Sequence, residues 1–175
     1  MDSSETIDEF YAKFLHKKHN EGLIDAENIE QIKLFLALGA DVDATNNFGD
    51  TALMVSDTDE QTKLLLDTIR EKGSKSLLAY VTAANEDGFT ALMTAKTAEQ
   101  TKLLLEASES EAAYVNAKNN FGSTALIYAK TAEQTKLLID AGADVNDMNK
   151  YGFTALIFAN SYEQEKLIKD TIAKI

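Results

Sequence analysis

Val115-Asn-Ala-Lys-Asn-Asn-Phe-Gly-Ser-Thr-Ala-Leu126 decides the fold, because the chain says nearly the same thing at three other places. These are Val42-Asp-Ala-Thr-Asn-Asn-Phe-Gly-Asp-Thr-Ala-Leu53, Val81-Thr-Ala-Ala-Asn-Glu-Asp-Gly-Phe-Thr-Ala-Leu92 and Val145-Asn-Asp-Met-Asn-Lys-Tyr-Gly-Phe-Thr-Ala-Leu156. Self-similarity of this kind marks stacked supersecondary units, none of which buries its apolar face alone. Function in such a protein belongs on a surface rather than in a pocket.

Each copy carries the same grammar. The Asn/Asp-rich stretch with Gly49, Gly88, Gly122 or Gly152 reads as a turn, the glycine supplying a backbone angle that other residues resist. Thr51, Thr90, Thr124 and Thr154 read as N-cap hydroxyls of a short helix. A second capping signal follows in Thr58-Asp-Glu-Gln61, Thr97-Ala-Glu-Gln100, Thr131-Ala-Glu-Gln134 and Ser161-Tyr-Glu-Gln164, each a capping box that opens a longer helix. The final helix is expected from about Glu163 to Ile175.

Spacings of 39, 34 and 30 residues separate Val42, Val81, Val115 and Val145. The extra residues fall after the second helix, at 69–80 and 107–114, and read as tolerated loop drift more readily than as a partner contact. Leu77 and Leu78 are expected to pack as an extra half-turn of helix.

Ahead of the repeats, Ile7, Phe10, Tyr11, Phe14 and Leu15 follow amphipathic-helix spacing behind Ser3-Ser4-Glu5. Lys17, Lys18 and His19 are expected in the last turn, with Asn20-Glu21-Gly22 as the stop. A second helix is expected over 28–38, with Ile29, Ile32, Leu34, Phe35, Leu36 and Leu38 as its apolar set. Asn28 to Asp41 aligns without a gap on Thr131 to Asp144, so residues 1–41 form a divergent N-terminal capping unit. The reading is one domain over 1–175, with repeats at 42–80, 81–114 and 115–144 and a C-terminal capping repeat at 145–175.

The chain has 175 residues, 45% of them hydrophobic, enough for a sizeable core, and contains no proline and no cysteine. Cysteine chemistry is therefore excluded: no disulfide, thiolate nucleophile or zinc-finger spacing exists. A formal net charge of -12 repels phosphate backbones and anionic lipid, so neither nucleic acid nor membrane is an expected partner. The same field suits a basic protein, or serves only to keep a monomer in solution. The acidic amino terminus shows no signal peptide, which reads as cytoplasmic, with export by a signal-less route left open. His16 and His19 lack a third ligand nearby, and Glu109 with Glu111 or Asp57 with Asp59 reads as solvated loop charge rather than an acid/base pair. No cofactor is expected.

The repeated Thr-Ala-Leu-Met-Val-Ser at Thr51, Thr-Ala-Leu-Met-Thr-Ala at Thr90, Thr-Ala-Leu-Ile-Tyr-Ala at Thr124 and Thr-Ala-Leu-Ile-Phe-Ala at Thr154 resembles the Thr-Pro-Leu-His-x-Ala signature of ankyrin repeats. Leu137-Leu-Ile-Asp-Ala-Gly-Ala-Asp-Val-Asn146 is similar to that family's unit ending. The compact units resemble bacterial ankyrin proteins more than animal ones. Ala52, Ala91, Ala125 and Ala155 replace the proline, while Met54, Met93, Ile127 and Ile157 replace the histidine. Losing that histidine implies that apolar packing must substitute for polar ties between units. Three residues between the helices are also missing, which shortens the first helix.

The resemblance implies an all-α solenoid of stacked helix pairs with projecting hairpin loops. It also implies non-enzymatic protein binding through a concave face made of the hairpins and first helices. Positions that vary there while the framework repeats are the candidate partner contacts. Around the turns they are Asn47, Phe48 and Asp50; Glu86, Asp87 and Phe89; Lys118, Asn120, Phe121 and Ser123; Lys150, Tyr151 and Phe153. On and after the first helices they are Val55, Thr94, Tyr128 and Phe158, then Asp57, Lys96, Lys130 and Asn160. A narrower reading is a soluble inhibitor or immunity protein neutralising a basic toxin or enzyme, and an alternative of another class is a secreted effector with unrecognised enzymatic activity.

Overall fold

The computed structural model describes residues 7–72, 77–109 and 111–174, with side chains from Tyr11 onward except Lys72. Ser3-Ser4-Glu5, the side chains of Ile7 and Phe10, residues 73–76, Ser110 and Ile175 lie outside the described residues.

Two helices open the stack, α1 (Ile7–Ile24) and α2 (Ile29–Ala37). Three turn–helix–helix units follow, with short first helices α3 (Ala52–Val55), α6 (Ala91–Thr94) and α9 (Ala125–Tyr128). Their longer second helices are α4 (Asp59–Lys72), α7 (Ala98–Ala107) and α10 (Ala132–Asp140). Two further short helices, α5 (Leu77–Val81) and α8 (Ala112–Val115), occupy the inserted stretches. A 3₁₀ turn (Ala155–Phe158) and α11 (Tyr162–Ile172) close the chain. Among the described residues the only β-type pairing is two isolated bridges, Thr45 with Thr51 and Ala84 with Thr90. One continuous core runs through the stack, anchored by the Ala-Leu pairs at Ala52, Ala91 and Ala125, while in the last unit Ala155 is buried and Leu156 only partly so.

The N-terminal cap departs from expectation. Gly22 does not stop α1, which runs on to Ile24, so Lys17, Lys18 and His19 are not in its last turn. Leu23 and Ile24, buried beyond that glycine, are what anchor α1 to the stack. A Cβ at Gly22 would lie 2.4 Å from the Phe35 ring, so this glycine lets α2 approach closely. Tyr11, Phe14 and Leu15 stay about half exposed, and so do Leu34 of α2 and Leu38 at its C-cap.

Helix takes up much of both insertions among the described residues. Residues 69–72 extend α4, and Ile69 is buried. Leu77 packs on the core, whereas Leu78 stays exposed, so only one of the pair fills the expected role. Each insertion ends by burying a tyrosine, Tyr80 on α5 and Tyr114 on α8. Tyr114 Oη accepts the Leu92 N–H at 3.1 Å, one of the orphan amides at the start of α6. That job was expected of Thr90, whose buried hydroxyl makes no cap bond; among the four threonines only Thr51 caps through its side chain.

The glutamines do more than cap. Thr58 with Gln61 and Thr97 with Gln100 form reciprocal boxes, but Gln134 Oε1 takes the Lys130 N–H and Gln164 Oε1 the Asn160 N–H, each one residue earlier. Their Nε2 groups reach into the preceding unit. Gln100 donates to Ser56 O and Thr62 Oγ1, Gln134 to Ala95 O, Thr97 O and Thr101 Oγ1, and Gln164 to Ala129 O and Thr135 Oγ1, all within 2.8–3.2 Å. These side chains are at most 2% exposed. Polar ties between units are therefore present, carried by glutamine instead of histidine, and the expectation of purely apolar substitution is corrected.

Candidate functional site

The turns are built from asparagine. Asn46, Asn85, Asn119 and Asn149 each place Oδ1 on the amides two and four residues ahead, at 2.8–3.1 Å. This closes the turn locally, as Asx geometry does. Adjacent turns are then tied by one backbone bond each, from Glu86 N to Phe48 O, Asn120 N to Asp87 O and Lys150 N to Phe121 O. Gly122, at φ 75°, shows what the ladder demands, since a Cβ there would lie 3.1 Å from Lys150 N. With its turns locked in register, the stack presents a ruled face from which side chains project.

Most of the expected contact residues do project from it. Asn47, Phe48, Glu86, Asp87, Asn120, Lys150 and Tyr151 are exposed along the turn tips. Val55, Lys96, Lys130 and Phe158 are exposed at the first helices, and Thr94 is half-buried, its hydroxyl donating to Ala91 O. Some are already engaged. Asp50 accepts from Asn46 and from Asn85 of the next turn, Lys118 pairs with Asp147 at 2.6 Å, and Lys96 pairs with Asp57. Ser123 is a correction: it is 4% exposed and its Oγ accepts from Asn149, so it belongs to the framework between turns.

The aromatic side chains gather at one end of this face. Phe89 lies 5.4 Å from Tyr128 and 6.4 Å from Phe121 by ring centroids, and Phe153 lies 6.0 Å from Phe158 in a T-shaped pair. Between the two groups is a cleft of about 300 Å³ lined by Phe121, Tyr128, Tyr151, Phe153 and Phe158, with Ile127, Ser123 and Asn149 at its floor. Phe89 and Tyr128 are half-buried against the core and hold the cleft wall in place. Phe48 and Tyr151 are 69% and 66% exposed, so neither is spent on packing against a neighbouring turn.

Charge is unevenly distributed around this face. Glu86 and Asp87 stand exposed on the second turn. Many lysines elsewhere lie against a carboxylate, as in Lys33 with Glu30, Lys102 with Glu99 and Lys136 with Asp140, while among the described residues Lys63 and Lys174 do not. Among the described residues Lys130 and Lys150 have no such partner. No carboxylate lines the aromatic cleft.

A second cleft, of about 470 Å³, escaped sequence reasoning. Lys13, His16, Lys17 and Asn20 of α1 form one wall, and Asn46, Asn47 and Phe48 of the first turn the other. Its signal was the length of α1, more than four times that of the helices it replaces. His16 bonds Asp41 at 2.9 Å, and among the described residues no group of acids and histidines is arranged to hold a metal. Glu109 and Glu111 are both exposed. No helix of the described residues is long and apolar enough to cross a membrane.

Stacked helix pairs, register-locked turns and an exposed aromatic face define a helical repeat solenoid of the kind that serves as a protein interaction scaffold. The family model described as "Ankyrin repeats (3 copies)" matches residues 95–170, so that stretch is a set of ankyrin repeats, and the same turn–helix–helix unit extends back to Val42. No curated protein matches the chain.

Proposed function

We propose that the protein is a non-enzymatic, monomeric binding module that takes its protein partner on the turn and first-helix face, at the aromatic cleft. The observation that carries this reading is the cluster of Phe121, Tyr151, Phe153 and Phe158, each at least 41% exposed although nothing in their own units requires it. Exposed aromatic groups that share a cleft are where binding energy concentrates. Affinity purification from the source organism with the intact protein and with Tyr128→Ala/Phe158→Ala tests it. A partner lost with the double variant, while its circular dichroism is unchanged, supports the reading; a partner retained in full sinks it.

A narrower reading, a neutraliser of a basic toxin or enzyme, is favoured by the net charge of -12. Much of that acid is on the second helices, as in Glu99, Glu106, Glu133 and Asp140, so such a partner would approach from their side and its capture would survive loss of Tyr128 and Phe158.

A further inference from the structure

Lys130 and Lys150 stand unpaired in a chain where Lys17, Lys18, Lys33, Lys96, Lys102, Lys118, Lys136, Lys166 and Lys169 all lie against carboxylates. Both stand close in sequence to residues that line the aromatic cleft. Lys150 lies between Asn149 and Tyr151, which line it, and its amide is tied to Phe121 O at 2.9 Å. Lys130 follows the lining residue Tyr128 by two positions. Among the described residues Lys63 and Lys174 lack a carboxylate too, but Lys130 and Lys150 are the two that adjoin a cleft whose lining holds no acid, so they give that cleft a positive edge.

Tyr128 adds a third donor. Asn119 Oδ1 is committed to the amides of Phe121 and Ser123, so its Nδ2 must face Tyr128, to whose Oη it donates at 2.9 Å. The tyrosine oxygen is thereby an acceptor from Asn119, and among the described residues its own O–H has no acceptor. The lining is mostly apolar and aromatic, and it contains no carboxylate. The neighbouring second turn carries the opposite sign in Glu86 and Asp87.

We propose that the cleft recognises an acidic-apolar segment of a partner protein. An aromatic or aliphatic side chain enters between Phe121, Tyr151, Phe153 and Phe158, and an adjacent Asp or Glu side chain of the partner faces Lys130, Lys150 and the Tyr128 hydroxyl. Charge complementarity selects this occupant over a basic one, because a basic flank would desolvate like charge against two lysines with no compensating acid in the lining. The inference rests on the reading of this face as the binding surface, and goes beyond it by assigning the sign of the partner at the cleft.

Selection of displayed short random peptides on the intact protein tests it. Enriched sequences pairing an apolar residue with neighbouring Asp or Glu are expected. Their affinity should fall about tenfold or more in Lys130→Glu/Lys150→Glu and should weaken with added salt, while thermal melting shows that variant folded. Enrichment of basic or uncharged flanks, no enrichment, or affinity unchanged in the double lysine variant overturns the proposal. If the enriched peptides also bind Tyr128→Ala/Phe158→Ala undiminished, the binding face itself has been misplaced. If they need Tyr128 and Phe158 but not the lysines, only the assigned charge fails.

Discussion

Gln134 shows how much one side chain can hold at the scale of a residue. It closes the start of α10 through Oε1 and crosses to the preceding unit through Nε2, where it meets two carbonyls and a hydroxyl. All of this happens at 2% exposure, where no water replaces a lost partner. Gln134→Leu preserves volume but leaves Lys130 N–H and the Ala95 and Thr97 carbonyls unpaired. We expect a loss of about 2–4 kcal/mol, since each buried polar group left unsatisfied costs about 1–3 kcal/mol. Urea unfolding of the two proteins measures it, and a loss below about 1 kcal/mol would show that the ladder is ornamental.

At the scale of an element, the inserted helix α8 acts through Tyr114, which supplies the cap that Thr90 does not. Burial pushes the phenols of Tyr114 and Tyr80 well above their ordinary range. The sign of the pH effect follows. Below pH about 10 both folded and unfolded chains keep these protons; above it the unfolded chain ionises first, so stability is lost as pH rises. Tyr80→Phe/Tyr114→Phe removes that titration. The double variant is expected to be less stable at pH 8, where Leu92 N–H loses its acceptor, and to lose less stability than the parent between about pH 9.5 and 11. Parallel pH profiles of the urea midpoint would refute this if the two curves ran at constant separation throughout. Such a role was invisible in the sequence, where 107–114 looked like a loop. Thr90 and Thr124 repeat Thr51, yet only Thr51 caps the amide three residues on, and at α6 it is Tyr114, from a helix folded over it, that takes a first-turn amide, Leu92 N–H.

At the scale of the whole molecule, the periodic features were legible and the positional ones were not. Gly49, Gly88, Gly122 and Gly152 recur because each turn needs the same positive φ, and short-range demands of that kind are written in every copy. Partner choice is different, since Lys96 and Lys130 are equivalent in the repeat while only Lys96 meets a carboxylate, Asp57, from the unit before it. Equivalent residues likewise differ with place in the stack. Ile127 and Ile157 share one position in the signature, but Ile127 is 6% exposed between units and Ile157 64% exposed on the last one. Stability in a solenoid is close to a sum of unit and nearest-neighbour terms, so a residue counts only when a neighbour covers it. Ile127→Ser should therefore cost about 3 kcal/mol, from lost apolar burial and a hydroxyl placed in the core. Ile157→Ser should change stability by less than about 0.5 kcal/mol. Urea midpoints of the two variants decide it; equal losses would mean that Ile157 is covered in solution, and sedimentation would then identify what covers it.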